Sequence, residues 1–138
     1  MEELQTLNIT SKVENIALVE KMIDDICDSY KVGEENYGNI LIALTEAVNN
    51  AITHGNSKDP EKEVKLSFWP TENALKFKIV DEGPGFDYEN LPDPTSPENI
   101  EKPNGRGVFL MKNLADEVAF EDNGAVVELS FNHIVQQN

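Results

Sequence analysis

The chain has 138 residues, of which 39% are apolar, so it can bury a core and most simply forms one domain over residues 1–138. Its 26 acidic and 11 basic side chains give a net charge of −15, which argues against nucleic acid or an anionic membrane as the main partner. No stretch approaches the length of a membrane helix, and the N-terminus lacks the basic start of a signal peptide. We therefore expect a soluble, cytoplasmic protein.

The first part of the chain predicts one strand followed by two helices. Residues 2–9 carry spaced apolar side chains and predict an edge strand. Residues 11–14 (Ser-Lys-Val-Glu) match a capping box, which predicts a helix from there to about Tyr30. A second helical period predicts a helix that runs to His54, where the following Gly-Asn pair at 55–56 is a suitable stop.

The second part predicts two hairpins separated by a long loop and a helix. Alternating apolar residues predict strands over 64–69 and 75–80, joined by a Pro-Thr-Glu-Asn turn. Residues 84–104 hold five of the seven prolines and show no period, which is typical of a functional lid or of a disordered insert. Residues 107–115 predict a helix, and residues 118–131 predict a final hairpin around Asp-Asn-Gly.

This order of elements predicts an α+β fold. Each central strand has one apolar face and one more polar face, as expected for a sheet that is covered on one side. The expected architecture is a two-layer sandwich, in which a mixed, mostly antiparallel sheet carries its helices on one face. No internal repeat is visible in the sequence, and we expect the lid to cover about residues 87–104.

Glu46 and Asn50 lie four positions apart within the second predicted helix. In a helix both side chains share one face, one turn apart, at the edge of the buried stripe. Burial of a polar group there is unfavourable unless the group has a bonding partner or a function. The Asn50 amide oxygen suits Mg²⁺, and the Glu46 carboxylate can accept a proton from an attacking hydroxyl or water. An ordinary amphipathic boundary explains the same pair, and the pattern is weak when taken alone.

Asp81 directly follows the apolar strand that ends at Val80, and Gly83 and Gly85 come after it. The glycines permit backbone conformations that a side chain would block. A carboxylate at a strand end can accept a hydrogen bond from an exocyclic amine, which would select adenine. A tight turn with a solvated acid explains the same residues equally well.

Gly105, Arg106 and Gly107 lie between the proline-rich loop and the last predicted helix. Glycines allow backbone N–H groups at a helix N-terminus to approach a phosphate, and an arginine can pair with phosphate oxygens. The segment is neither a Walker A motif, since no Gly-Lys-Ser/Thr follows, nor a dinucleotide fingerprint, since no parallel βαβ unit surrounds it. A simple loop-to-helix junction is the alternative.

Taken together, the order and spacing of these motifs resemble the GHKL ATPase/kinase superfamily and its Bergerat-type ATP-binding fold. Residues 46–51 (Glu-Ala-Val-Asn-Asn-Ala) look like its N-box, residues 81–86 (Asp-Glu-Gly-Pro-Gly-Phe) like its first glycine box, and residues 105–111 like its second. Within the superfamily, the chain is most similar to the small anti-sigma factor serine/threonine kinases. The His-Gly-Asn at 54–56 and the Leu-Ala-Asp-Glu-Val at 114–118 fit that group as well.

The resemblance implies roles for the polar residues and for the glycines. Glu46 would be the general base, Asn50 the Mg²⁺ ligand and Asp81 the adenine reader. The remaining positions would shape the nucleotide pocket, with two glycines beside the adenine and three residues holding the ATP phosphates under the 87–104 lid. These positions are, in that order, Gly83, Gly85, Gly105, Arg106 and Gly107.

The resemblance also implies partners. The substrate would be a serine or threonine hydroxyl on an anti-sigma factor antagonist, and the second partner would be a sigma factor bound by a kinase homodimer. One departure concerns the last hairpin, where many relatives carry a Gly-Thr whose hydroxyl supports the adenine contact. The matching stretch here is Gly-Ala-Val at 124–126, which puts that contact in doubt and weakens the expected nucleotide affinity.

Three other readings stay open at this stage, of which a structural, nucleotide-free protein would leave the glycine motifs unexplained. A nucleotide-gated binding module would use ATP only to set the lid conformation, and with it the affinity for a partner. A histidine-kinase catalytic domain is ranked last, because no helix pair bearing an acceptor histidine is visible in the sequence.

Overall fold

The computed structural model describes residues 5–83 and 105–132, which form five strands and three α-helices in the predicted order. The elements are β1 Gln5–Thr10, α1 Ile16–Ser29, α2 Glu34–Asn50, β2 Glu63–Pro70, β3 Ala74–Val80, α3 Gly105–Leu114, β4 Glu117–Glu121 and β5 Val126–Asn132. None of the helices in these two ranges is long and apolar enough to cross a bilayer.

The strands form one sheet in the order β1-β2-β3-β5-β4, and every neighbouring pair in it is antiparallel. The register places Phe68 opposite Phe77, and Phe77 opposite Leu129, so the apolar side chains of the three central strands share one face. The helices bury their apolar stripes in the same core, through residues such as Ile23 and Leu44. The predicted α+β two-layer sandwich is confirmed.

Three aromatic rings form the centre of this core. Phe77 lies 5.1 Å from the ring of Phe68 and 6.0 Å from the ring of Phe131, in tilted and edge-on arrangements that favour aromatic pairs. All three side chains are fully buried. The central strand β3 is therefore held on both sides, which fixes the position of its end at Val80 and of the loop that follows.

The start of α1 differs from the prediction. The capping box at residues 11–14 was wrong, because the Ser11 hydroxyl is buried and donates to the carbonyl of Lys62, 2.8 Å away, instead of capping a helix. A short 3₁₀ turn over Val13–Asn15 precedes α1, and neither segment has a side-chain cap. The Ser11 hydroxyl thus bonds a residue 51 positions away in the sequence instead of making the local capping contact.

The end of α2 also differs from a simple helix. Regular α-helix stops at Asn50, and a π-helical turn, Ala51–Gly55, continues to the predicted stop. The Asn56 N–H closes this turn on the carbonyl of Ala51 at 2.8 Å. π-turns are rare and occur frequently at functional sites, and this one ends against the loop that follows β3.

Residues 2–4 of the first predicted strand lie outside the described residues, and the other boundaries within them agree with the prediction within two residues. The last helix begins at Gly105 instead of residue 107, and the final hairpin has the predicted strands on either side of a 3₁₀ turn, Asp122–Gly124. The proposed lid at 87–104 lies outside the described residues.

Replacing Phe77 with alanine tests the aromatic core. We expect Phe77→Ala to lower the free energy of unfolding by about 3–5 kcal/mol, because it removes a fully buried ring with two aromatic neighbours. Phe109→Ala is the matched control, because that ring is 41% exposed and its loss should change stability by no more than about 0.5 kcal/mol. Urea unfolding of both variants checks this, and equal effects would contradict the assigned core.

Candidate functional site

The α2 helix carries Glu46 and Asn50 one turn apart on the same face, as predicted. Both side chains are partly exposed, but the Nδ2 atom of Asn50 is buried and makes no hydrogen bond among the described residues. The side chain of Asn50 lies so close to Gly107 that a Cβ there would overlap it. The first and third sequence motifs therefore meet at Asn50.

Asp81 follows the last residue of β3 and is held by the backbone on both sides. Its N–H donates to the carbonyl of Ala125 at 2.9 Å, and its Oδ1 accepts from the N–H of Gly83 at 2.8 Å. Burial raises the pKa of the Asp81 carboxyl, and the Gly83 N–H opposes this rise. The charges of Asp122 and Lys62 are smaller influences on this pKa and act in opposite directions.

The loop after β3 packs directly on the end of α2. The Asp81 carboxylate lies against the Cα of Gly55, so any side chain at residue 55 would overlap the carboxylate. Gly83 lies against the carbonyl of Gly55 in the same way. A side chain at residue 55 would displace the carboxylate, and one at residue 83 would overlap backbone, so the 81–83 loop packs closely on the end of α2.

These segments line one small cavity. Its lining includes the polar side chains of Asn50 and Asp81, while most of its other lining residues are apolar, among them Ile79 and Met111. A ring with an apolar face and a hydrogen-bonding edge suits such a lining. The cavity measures about 20 Å³, which is room for about one water molecule.

The donor chemistry at Asn50 fits Mg²⁺. This ion takes hard oxygen ligands and keeps most of its coordination positions for water and phosphate oxygens, so one amide oxygen is a sufficient protein contribution. Within residues 5–83 and 105–132, no group of three His, Cys, Asp or Glu side chains forms an alternative metal site. Asn50 is the residue that would hold the ion here.

Some predicted site residues are not brought to the cavity by the described part of the chain. Glu46 lies one turn before Asn50 and is not among the described lining residues. Gly85 lies outside the described residues. The backbone of Gly105 and Arg106 forms the start of α3, beside the Asn50–Gly107 contact, and the role of Arg106 at phosphate stays a prediction.

Two residues of the site were not predicted as such. Gly55 and Asn56 were interpreted from the sequence as a helix stop, yet Gly55 supports Asp81, and the Asn56 side chain accepts from the N–H of Glu82 at 2.7 Å. The available signal was the His-Gly-Asn triplet at 54–56, which fits the resemblance but does not reveal a contact with a loop 26 positions away.

Comparison with known proteins shows the family to which this chain is similar. The profile of the family described as "Histidine kinase-like ATPase domain" matches residues 9–131. A serine-protein kinase RsbW from Oceanobacillus iheyensis is 23% identical over 137 residues, covering 95% of this chain and 87% of that one. A serine-protein kinase RsbW from Bacillus cereus is 27% identical over 128 residues, covering 88% and 79%.

A solved structure supports the fold. The structure of the RsbU and RsbW domains of Rv1364c from Mycobacterium tuberculosis superposes on this chain with a TM-score of 0.64 at 12% identity. The match covers 97% of this chain and 33% of that one, so the chain spans about a third of the longer protein. At this identity the likeness concerns the fold alone.

A methyl group at Gly83 tests the close approach at the site. We expect Gly83→Ala to lower the free energy of unfolding by about 1–3 kcal/mol, because its Cβ would overlap the backbone of Gly55. Gly38→Ala is the matched control: it lies inside α2 with open space around it, and alanine there should stabilise by about 1 kcal/mol. Thermal unfolding separates the two, and a neutral Gly83→Ala would show that the loop does not pack on α2.

The raised pKa of Asp81 leads to a prediction about how stability depends on pH. Folding favours the protonated acid, so this carboxyl lowers stability progressively as the pH rises through its folded-state pKa. We expect Asp81→Asn to unfold at a higher temperature than the wild type at pH 7, with a difference that shrinks as the pH falls toward 4. Calorimetric scans over this pH range test it, and a variant that is less stable at pH 7 would contradict the burial of a charged Asp81.

Proposed function

The chain belongs to the histidine kinase-like ATPase domain family, and from this premise we propose that it is a serine/threonine protein kinase. It uses Mg-ATP, phosphorylates an anti-sigma factor antagonist and binds a sigma factor. The observation that carries the proposal is the joint position of Asn50 and Asp81 at one cavity, with Glu46 one turn away on the same helix face. The serine-protein kinase names of the two relatives support the reaction class.

Each residue has a defined task in the proposed reaction. Asp81 accepts a hydrogen bond from the adenine amine and thereby selects ATP. Asn50 holds Mg²⁺, which neutralises charge on the phosphate oxygens when it is bound. Glu46 accepts the proton of the serine or threonine hydroxyl as that oxygen attacks the γ-phosphorus, and ADP leaves.

The start of α3 supplies the remaining phosphate contacts. Its first backbone N–H groups, at 105–107, have no partner earlier in the helix and carry the positive end of the helix dipole. The chain has a net charge of −15, so local N–H groups, Mg²⁺ and the Arg106 guanidinium must supply the positive potential that ATP requires. Gly85 and the segment 87–104 lie outside the described residues, and their roles beside the adenine and over the phosphates stay predictions.

The partners follow from the same resemblance. We propose a single cytoplasmic domain that acts as a homodimer and binds a sigma factor in one state of a partner switch. A sigma factor binds DNA, and the acidic charge of this chain suits a basic partner surface.

A nucleotide-gated binding module is the second candidate. Ala125 supplies only its backbone carbonyl to Asp81, where many relatives have a threonine hydroxyl near the adenine. This difference favours weak nucleotide binding, which would suit a protein that senses ATP without rapid turnover.

Replacing Glu46 distinguishes the two functions. We expect Glu46→Gln to slow transfer of radiolabelled γ-phosphate to a purified anti-sigma factor antagonist by about 100-fold or more, because the general base is lost. ATP binding should stay within about threefold, since Glu46 contacts the attacking hydroxyl and not the nucleotide. Glu20→Gln on the exposed side of α1 is the matched control and should react like the wild type.

The binding-module reading makes the opposite prediction. Glu46→Gln would then leave partner affinity under ATP control unchanged, while Asp81→Asn would abolish that control. Wild-type transfer by Glu46→Gln would contradict the proposed kinase mechanism.

A further inference from the structure

The side chain of Asn56 makes three hydrogen bonds. It is fully buried and directly follows the π-turn at the end of α2. Its Oδ1 accepts from the N–H of Glu82 at 2.7 Å, and its Nδ2 donates to the Ser11 hydroxyl at 2.9 Å and to the carbonyl of Glu63 at 3.0 Å. The amide of Asn56 thereby connects Ser11, Glu63 and Glu82, which lie in three separate segments of the sequence.

The neighbouring groups extend this connection. The Ser11 hydroxyl in turn donates a hydrogen bond to the carbonyl of Lys62, 2.8 Å away. The Glu82 side chain reaches back to the same strand start, where its Oε2 accepts from the N–H of Glu63 at 2.6 Å. The backbone and the side chain of Glu82 are therefore both fixed, one by Asn56 and the other by β2.

Asp81 lies between these fixed points. On one side its N–H is bound to Ala125, and on the other side the next peptide N–H, of Glu82, is bound to Asn56. The carboxylate itself lies against Gly55, which immediately precedes Asn56. The direction of the Asp81 carboxylate thus depends on how the 81–83 loop is held against 55–56.

We propose that Asn56 is a positioning residue for adenine recognition: together with the Glu82 carboxylate it clamps the 81–83 loop onto the end of α2 and so sets the direction of the Asp81 carboxylate. This inference rests on the proposed function, because it concerns how the same ATP site selects its base. Nothing in it requires Asn56 to touch the nucleotide.

The chemistry of the amide explains why asparagine suits this position. The site offers one N–H that needs an acceptor and two oxygens, of Ser11 and Glu63, that can each take a donor. A neutral amide supplies one acceptor and two donors at the same time, which a carboxylate or a hydroxyl of similar size cannot do. Unmade hydrogen bonds at a buried position are strongly unfavourable, so the amide is held in this orientation.

The clamp also connects the two halves of the site. The Asn56 N–H closes the π-turn on Ala51, which directly follows Asn50, while the Asn56 side chain holds the Asp81 loop. The distance between the proposed Mg²⁺ ligand and the proposed adenine reader is therefore fixed through one residue. Precise placement of such groups by supporting hydrogen bonds is what selective sites require.

Base selectivity tests the inference. ATP and ITP differ at the six-position of the purine, where adenine has the amine that Asp81 would accept from and hypoxanthine has a carbonyl. We expect Asn56→Ala to reduce the ratio of the ITP and ATP dissociation constants by about tenfold, because a loosened carboxylate discriminates less between them. Calorimetric titration of the full chain with each nucleotide and Mg²⁺ gives the ratio.

Two further variants separate positioning from general stability. Ser11→Ala removes a buried hydroxyl from the far side of the amide, so it should lower the unfolding temperature and leave the selectivity ratio within about twofold of wild type. Glu82→Ala, at an exposed position that should not prevent folding, loosens the same loop and should reduce the ratio about threefold. If Asn56→Ala does not fold, Glu82→Ala serves as the test variant in its place.

The outcomes are distinguishable. A wild-type protein that binds ATP selectively, with unchanged ratios in Asn56→Ala and Glu82→Ala, would overturn the positioning role and leave the proposed function intact. An equal loss of selectivity in Ser11→Ala would also overturn it, because the effect would then follow stability. A wild-type protein that does not prefer ATP over ITP would contradict the proposed function itself.

Discussion

The main chain at Gly55 lies directly against the Asp81 carboxylate and against Gly83. This close approach is the constraint on which the rest of the site depends, because it brings the end of a helix and the end of a central strand within backbone contact. It involves glycines at 55 and 83, a π-turn that carries α2 beyond Asn50, and a buried amide at Asn56 that satisfies the polar groups enclosed at the junction. At this junction, between the helix layer and the sheet, lies a cavity whose lining includes the Asp81 carboxylate.

The strong acidity of the chain limits where the phosphates of a nucleotide could lie. Burial disfavours the charged form of Asp81, yet a single N–H from Gly83 holds its carboxylate in place. The phosphates would lie near the start of α3 and the Asn50 amide, where backbone N–H groups and a bound metal ion, instead of lysines, would supply the positive potential. The net charge of −15 is then left to act on protein partners, and it favours basic surfaces.

Much of the fold could be predicted because its signals are local. The alternation in β2 and β3, the helical periods and the glycine-rich segments specify elements whose bounds agree closely with the structure, and the three motifs at Asn50, Asp81 and Gly107 do come together. Ser11 shows why other features could not be predicted. Its capping-box pattern is valid locally, but its hydroxyl bonds a carbonyl 51 positions away. Asn56 is the same case, since no periodicity predicts that a residue at a helix stop binds the loop after β3.

The measurement that tests the central claim most directly is calorimetric titration of ATP into the wild type and Asp81→Asn, each with and without Mg²⁺. If the cavity at the Gly55–Asp81 junction is the nucleotide site, the wild type binds one ATP more tightly with Mg²⁺ than without it, and Asp81→Asn loses binding while remaining folded. An absence of binding at millimolar ATP, or equal affinity in Asp81→Asn, would contradict the account.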